Sequence, residues 1–173
     1  MEDLAREVGI GKGTIYLHFP GKEELVLAHI DRIAVRLLER LRAIARGPAS
    51  PEEKIRRLLF TRVLFRFDSV SHYSQNLNDL LASVRRELLA RRQAHFDNEA
   101  AVLAEVVGEG RERGVFDCPD PSAAGRVLVW STNSLLPFSL TSKELGEKEE
   151  LAGRVSAIAD ALLMGLAHRP KQG

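Results

Sequence analysis

Apolar positions along the chain recur at three- and four-residue intervals, and runs that alternate apolar and polar residues are missing. That spacing predicts helices throughout and no sheet. Breakers separate the periodic stretches: Gly9 to Gly13, Pro20-Gly21, Gly47-Pro48, Pro51, Gly114, Pro119 to Pro121, and Gly146. The first helix is expected over residues 2–8, with Leu4, Ala5 and Val8 inward, and the second over 12–18, with Ile15 and Phe19 inward. A long helix follows over 21–46, carrying Leu25, Ile30, Ile33, Leu37, Leu41 and Ile44. Ser50 then stands as a helix cap, with Pro51 at the first helical position and Glu53 in the place of a capping box. The helix it opens should run to about residue 68.

Residues 72–78 are polar and read as a turn. Residues 80–113 form a long helical stretch, broken once near Ser83 and ended by Gly114, with Leu88, Phe96, Leu103 and Val107 on its buried stripe. A further helix is expected over 122–138, bent or ended by Pro137. The last helix, over 148–167, repeats Leu151, Val155, Ile158, Leu162 and Leu166. The fold class is therefore all-α, with a small head over residues 1–46 and a helical body over 47–173. No flexible linker parts them, and the long helix over 21–46 would couple the two mechanically.

Composition narrows the reading only a little. The chain has 173 residues, is 45% hydrophobic and carries a net charge of +1, so it can bury a core and is not a bulk polycation. Its arginine pairs, Arg56-Arg57, Arg85-Arg86 and Arg91-Arg92, are scattered, and neighbours on a helix point apart, so they read as solvated faces and local ion pairs. Cys118 is the single cysteine, which rules out an internal disulfide. No apolar run approaches the roughly 18 residues of a membrane span, and Glu2 and Asp3 stand where a signal peptide would be basic, so a cytoplasmic protein is expected. His72 and His95 lack metal-ligand spacing. Nucleophile–base pairs, paired catalytic carboxylates and phosphate-binding glycine loops are also missing. Neither an enzyme nor a cofactor or metal is expected.

Chemistry concentrates at the N-terminal end, from Leu4 to Leu25: two short helices joined by a glycine turn, then the start of a longer helix. This is the outline of a helix-turn-helix DNA reader. Gly11 and Gly13 let backbone amides approach phosphate closely, and Lys12 adds a point charge. Thr14 offers a hydroxyl to phosphate and a methyl to thymine. Tyr16 and His18 lie opposite the core pair Ile15 and Phe19, and both can donate to phosphate. Lys22 stands in the first turn of the next helix, where a cation opposes the helix dipole and an external anion would relieve the conflict.

The order and spacing of these residues resemble the TetR-like bacterial transcriptional regulators: a helix, a glycine turn, a Lys/Gly/Thr-rich helix start, a Tyr-x-x-Phe end and a Lys-Glu-Glu-Leu restart. The resemblance is specific over about residues 1–46 and architectural beyond. It implies DNA contacts at Gly11, Lys12, Gly13, Thr14, Tyr16, His18 and Lys22. The family carries a helix before this motif, whereas Met1 stands at the motif's own first helix. Either the protein's true start lies upstream of Met1, or the chain is shortened there, or the head lacks that helix, which would leave Leu4, Val8 and Ile15 short of apolar cover. The resemblance further implies a homodimer that senses a small molecule, with the last two helices pairing into a four-helix bundle.

For that interface the apolar positions Val127, Leu135, Leu151, Val155, Ile158, Leu162 and Leu166 are the candidates, while Ala152, Gly153, Ala159, Ala161 and Gly165 permit close helix approach. For an effector pocket the candidates are Phe65, Phe67, Tyr73, Phe96, Trp130 and Asn133, large rings with a few polar groups. Glu87, His95 and Glu99 would suit a cationic effector. The expected function is a ligand-responsive repressor that holds a palindromic double-stranded DNA operator as a homodimer and is released by a small molecule. The alternative is a dimerisation and ligand-sensing module that does not bind DNA because the leading helix is missing.

Overall fold

A computed structural model describes residues 21–71 and 77–167. The residues expected to form two short head helices, with Gly11, Lys12, Gly13, Thr14, Tyr16 and His18, lie outside the described residues, as does Tyr73. Helix α1 (Lys22–Ala45) is followed by α2 (Pro51–Val70), α3 (Leu77–Ser83), α4 (Arg85–Glu112) and α5 (Pro121–Ser131). A 3-10 turn (Asn133–Leu135), a short helix α6 (Ser142–Leu145) and α7 (Lys148–Leu166) complete the order. Among the described residues the all-α expectation holds, apart from one isolated antiparallel bridge between Phe116 and Ala167. None of these helices is long and apolar enough to cross a membrane.

Local chemistry accounts for several helix ends. Glu23 and Glu24 in the first turn of α1 complement its dipole. The Ser50 hydroxyl accepts from the Glu53 amide at 3.3 Å, and Pro51 occupies the first position of α2, where its missing N–H costs nothing. Asp120 caps α5 in the same manner through the Ala123 amide. At the end of α4, Gly114 takes φ 69°, a conformation that favours glycine. The Val115 amide then returns to the Gly110 carbonyl at 2.8 Å and the Gly114 amide to Arg111 at 3.0 Å, the paired bonds of a Schellman motif.

The long stretch expected over 80–113 is broken at Val84, which sits at φ −108°, ψ 9° between α3 and α4. Two elements differ from expectation. The helix expected over 122–138 stops at Ser131, well before Pro137. Thr132 is fully buried, and its hydroxyl turns back to the Leu128 and Val129 carbonyls, competing with the helical pattern. Leu136, the residue before proline, is extended at ψ 147°. The second difference is α6, whose signal lies in Thr141 and Glu144: they form a reciprocal capping box.

Helix α2 lies at the centre and touches α1, α4 and α7, while α5 packs along α4. Ile55, Leu58, Leu59 and Val63 of α2 are fully buried, as are Leu37 and Leu41 of α1. Each such side chain contributes about 1.5–3 kcal/mol through burial. On α7 the buried stripe is Leu151, Val155, Ala159 and Leu163, with Ile158, Leu162 and Leu166 on its margin. A smaller cluster, Val26, Leu27, Val84 and Leu88, joins the start of α1 to the α3–α4 break. Phe138 packs against both clusters, which places it at their junction.

Candidate functional site

The most polar point of the core is built on the buried face of α2. Arg62 is fully buried and Arg66 nearly so. Both reach Glu99 of α4, itself 2% exposed, so one carboxylate serves two guanidinium groups. The Arg62 Nε donates to the Glu99 Oε2 at 2.7 Å; its Nη1 donates to the Thr132 hydroxyl and its Nη2 to the Asn133 side-chain oxygen, both at 2.6 Å. The Arg66 Nη2 donates to the other Glu99 oxygen. Burial lowers the Arg62 pKa to about 10, partly offset by Glu99, so the guanidinium stays charged at neutral pH. The triad therefore keeps an uncompensated positive charge inside the protein. Such charge is costly unless hydrogen bonds or a counter-ion answer it.

Arg66 also forms part of the wall of a small chamber of about 50 Å³ at the junction of the two apolar clusters. Ile30, Ile33 and Ala34 of α1 make one side, and Leu88, Phe96 and Phe138 make much of the other. A wider cleft of about 390 Å³ adjoins it, sharing Leu81, Leu88, Arg92 and Phe138 and adding Arg85 and residues Ser139 to Thr141. Arg92 stands where the two spaces meet and lies over the Phe96 ring, 5.4 Å from its centre. His95 also faces the chamber. Its Nε2 lies 2.9 Å from Asp31, which is shared with Arg91 at 2.5 Å.

Of the six rings and amides expected to form a pocket, Phe96 lines the chamber. Asn133 is close by but engaged by Arg62. Phe65 lies beneath Arg36 and Arg40 of α1, and Phe67 packs against the main core. Trp130 is 58% exposed and does not line the chamber. Wall residues not expected from sequence to line a pocket include Ile30, Ile33, Arg66, Arg92 and Phe138. Arg62 and Arg66 left one signal: they are spaced i, i+4 among the core positions Leu58, Leu59 and Val63, where a surface arginine has no place. The cationic-effector reading of Glu87, His95 and Glu99 is corrected, because Glu99 is satisfied by two arginines and His95 by Asp31. Glu87 lines a different surface depression, beside Glu23 and Glu24.

The partner-surface candidates also separate. Leu151 and Val155 are fully buried and Leu135 is 7% exposed, all within the protomer's own core, so they have no surface left for a partner. Ile158, Leu162 and Leu166 are half-buried at the core margin. Val127 is 46% exposed, and beyond the expected set Trp130 and Met164 are also open, Met164 at 69%. Lys22 opens α1, and its side chain lies outside the described residues. Among the described residues no cluster of His, Cys, Asp and Glu is suited to a metal.

Residues 1–29 match the family model of bacterial regulatory proteins, tetR family. A stretch of 54 residues, 31% of this chain, is 33% identical to the HTH-type transcriptional regulator EthR of Mycobacterium tuberculosis strain H37Rv. The matched stretch spans 25% of that relative's length. Among solved structures, a transcriptional regulator from Cytophaga hutchinsonii superposes with a TM-score of 0.71 at 18% identity, covering 95% of this chain and 86% of its own. A TetR-family transcriptional regulator from Pectobacterium atrosepticum gives 0.66 at 21% identity, over 99% of this chain and 84% of its own. One of the TetR/AcrR family from Thermobifida fusca gives 0.56 at 25% identity, over 98% and 86%. The sequence match at the N-terminal end and the fold of the body point the same way: this chain resembles the TetR-family regulators.

Proposed function

We propose that the protein is a cytoplasmic transcriptional regulator, a repressor that holds a palindromic operator as a homodimer and lets it go when a small molecule fills the body. One observation carries this reading. Residues 22–29 of α1 belong to the segment that matches the tetR model, and the next turns of the same helix supply Ile30, Ile33 and Ala34 to the chamber wall. A ligand in the chamber touches the helix on which the DNA-reading segment ends. Its differential affinity for two positions of α1 is the free energy available to change DNA affinity.

Self-association is supported by Val127 and Trp130, one turn apart on α5, and Met164 on α7, which expose large apolar surface. The DNA contacts are assigned to Gly11, Lys12, Gly13, Thr14, Tyr16, His18 and Lys22, by the order of residues in the matched segment. The test is selection of bound duplexes from a random pool by the 173-residue protein. Enrichment of an inverted repeat with half-sites about 34–36 Å apart supports the reading. A pool that stays random while the protein is folded and dimeric overturns it.

A further inference from the structure

We infer that the effector is an amphipathic organic anion, with a short apolar group in the chamber and its negative group at Arg92. This rests on the reading of the chamber as the effector site. The chamber is small and almost wholly apolar, so it accepts the narrow end of a ligand, and the remainder must lie in the wider cleft.

The charges around both spaces are unequal. On α2 and α4, Arg62 and Arg66 outnumber Glu99. Asp31 on α1 is answered by Arg91 and His95. Arg92 has the Phe96 ring beneath it and no carboxylate partner among the described residues. Arg85, one heptad earlier on α4, likewise lines the cleft without an acidic partner among them. Among the described residues no carboxylate lines either space to receive a cation. A ligand anion at Arg92 gains a charge-assisted hydrogen bond in a partly desolvated place and also answers the surplus charge behind it.

The experiment titrates the full chain, without DNA, with three eight-carbon probes: octanoate, octan-1-ol and octylamine, followed by calorimetry. Octanoate is expected to bind about tenfold or more tightly than octan-1-ol, with octylamine weakest. Arg92→Gln should remove that preference, bringing octanoate to within about threefold of octan-1-ol on the same variant, and Arg85→Gln, at the exposed mouth, should weaken octanoate by a smaller factor. Equal affinity for acid and alcohol, a preference for the amine, or no binding of octanoate overturns the inference, and these outcomes on the unaltered protein do not depend on the variants folding. The regulatory reading fails separately: octanoate that binds as expected but leaves affinity for a selected duplex unchanged contradicts that reading and not this one.

Discussion

Glu99 holds two arginines in the core, and its removal is the sharpest single-residue test of the polar centre. Glu99→Gln keeps the shape and leaves both guanidinium groups unanswered, so a loss of about 3–5 kcal/mol in denaturant unfolding is expected. Replacing the whole triad together, Arg62→Met with Arg66→Leu and Glu99→Leu, should cost far less, because a well-packed apolar core bears no desolvation penalty. Equal losses in the two proteins would contradict the charge argument. Acid stability has a different residue behind it. The hydrogen bond from the buried Lys54 ammonium, at 2.7 Å, holds the Glu109 carboxyl below its usual pKa. A carboxylate with a depressed folded pKa stabilises the protein above the unfolded value of about 4.3 and loses that contribution as pH falls through the folded one. Glu109→Gln should therefore lower stability at neutral pH and flatten its decline below about pH 4, read from unfolding curves across that range.

At the scale of the element, helix-to-helix approach is limited by glycine. A Cβ on Gly125 of α5 would stand 2.4 Å from the Ala100 carbonyl and 2.9 Å from the Ala104 amide of α4. Backbone cannot yield as a side chain can, so Gly125→Ala should cost about 1–3 kcal/mol despite the gain of up to about 1 kcal/mol in helix propensity. Gly108 of α4 meets nothing within 4 Å, and Gly108→Ala should show only the gain. Unfolding in urea separates the two; a stabilised Gly125→Ala protein would contradict the packing described.

The elements themselves were largely legible, because Ser50-Pro51, Gly47-Pro48 and Gly114 punctuate strongly periodic stretches. The end of α5 was not, since it depends on Thr132 and Asn133 meeting Arg62, some 70 residues away in sequence. The buried stripe of α7 shifted for a similar reason. Its apolar surface is wide enough for several faces, and Leu151, Val155 and Ala159 are the ones buried where α7 packs on α2. The candidate site followed the same rule. Phe96 announced itself as a ring on a core stripe, whereas the arginines around it looked like surface charges until α2 and α4 were brought together.

Across the whole molecule, α1 runs from the tetR-matched segment into the chamber wall, and α5, with the exposed apolar surface proposed for self-pairing, packs on α4, which lines the same chamber. Trp130→Glu places a charge in the exposed apolar surface of α5, and sedimentation velocity should show a folded monomer for the variant and a dimer for the unaltered protein. An unchanged dimer would move the interface elsewhere. The central claim is that filling the chamber alters DNA affinity through α1, and it can be tested without knowing the effector. Ala34 of α1 is 8% exposed and lies in the chamber wall, so Ala34→Leu fills much of that space with the protein's own carbon. Fluorescence anisotropy on a duplex recovered by selection should show affinity weakened by a factor of about 5–150, with the dimer intact. A folded Ala34→Leu dimer that binds the duplex as tightly as the unaltered protein would contradict the account.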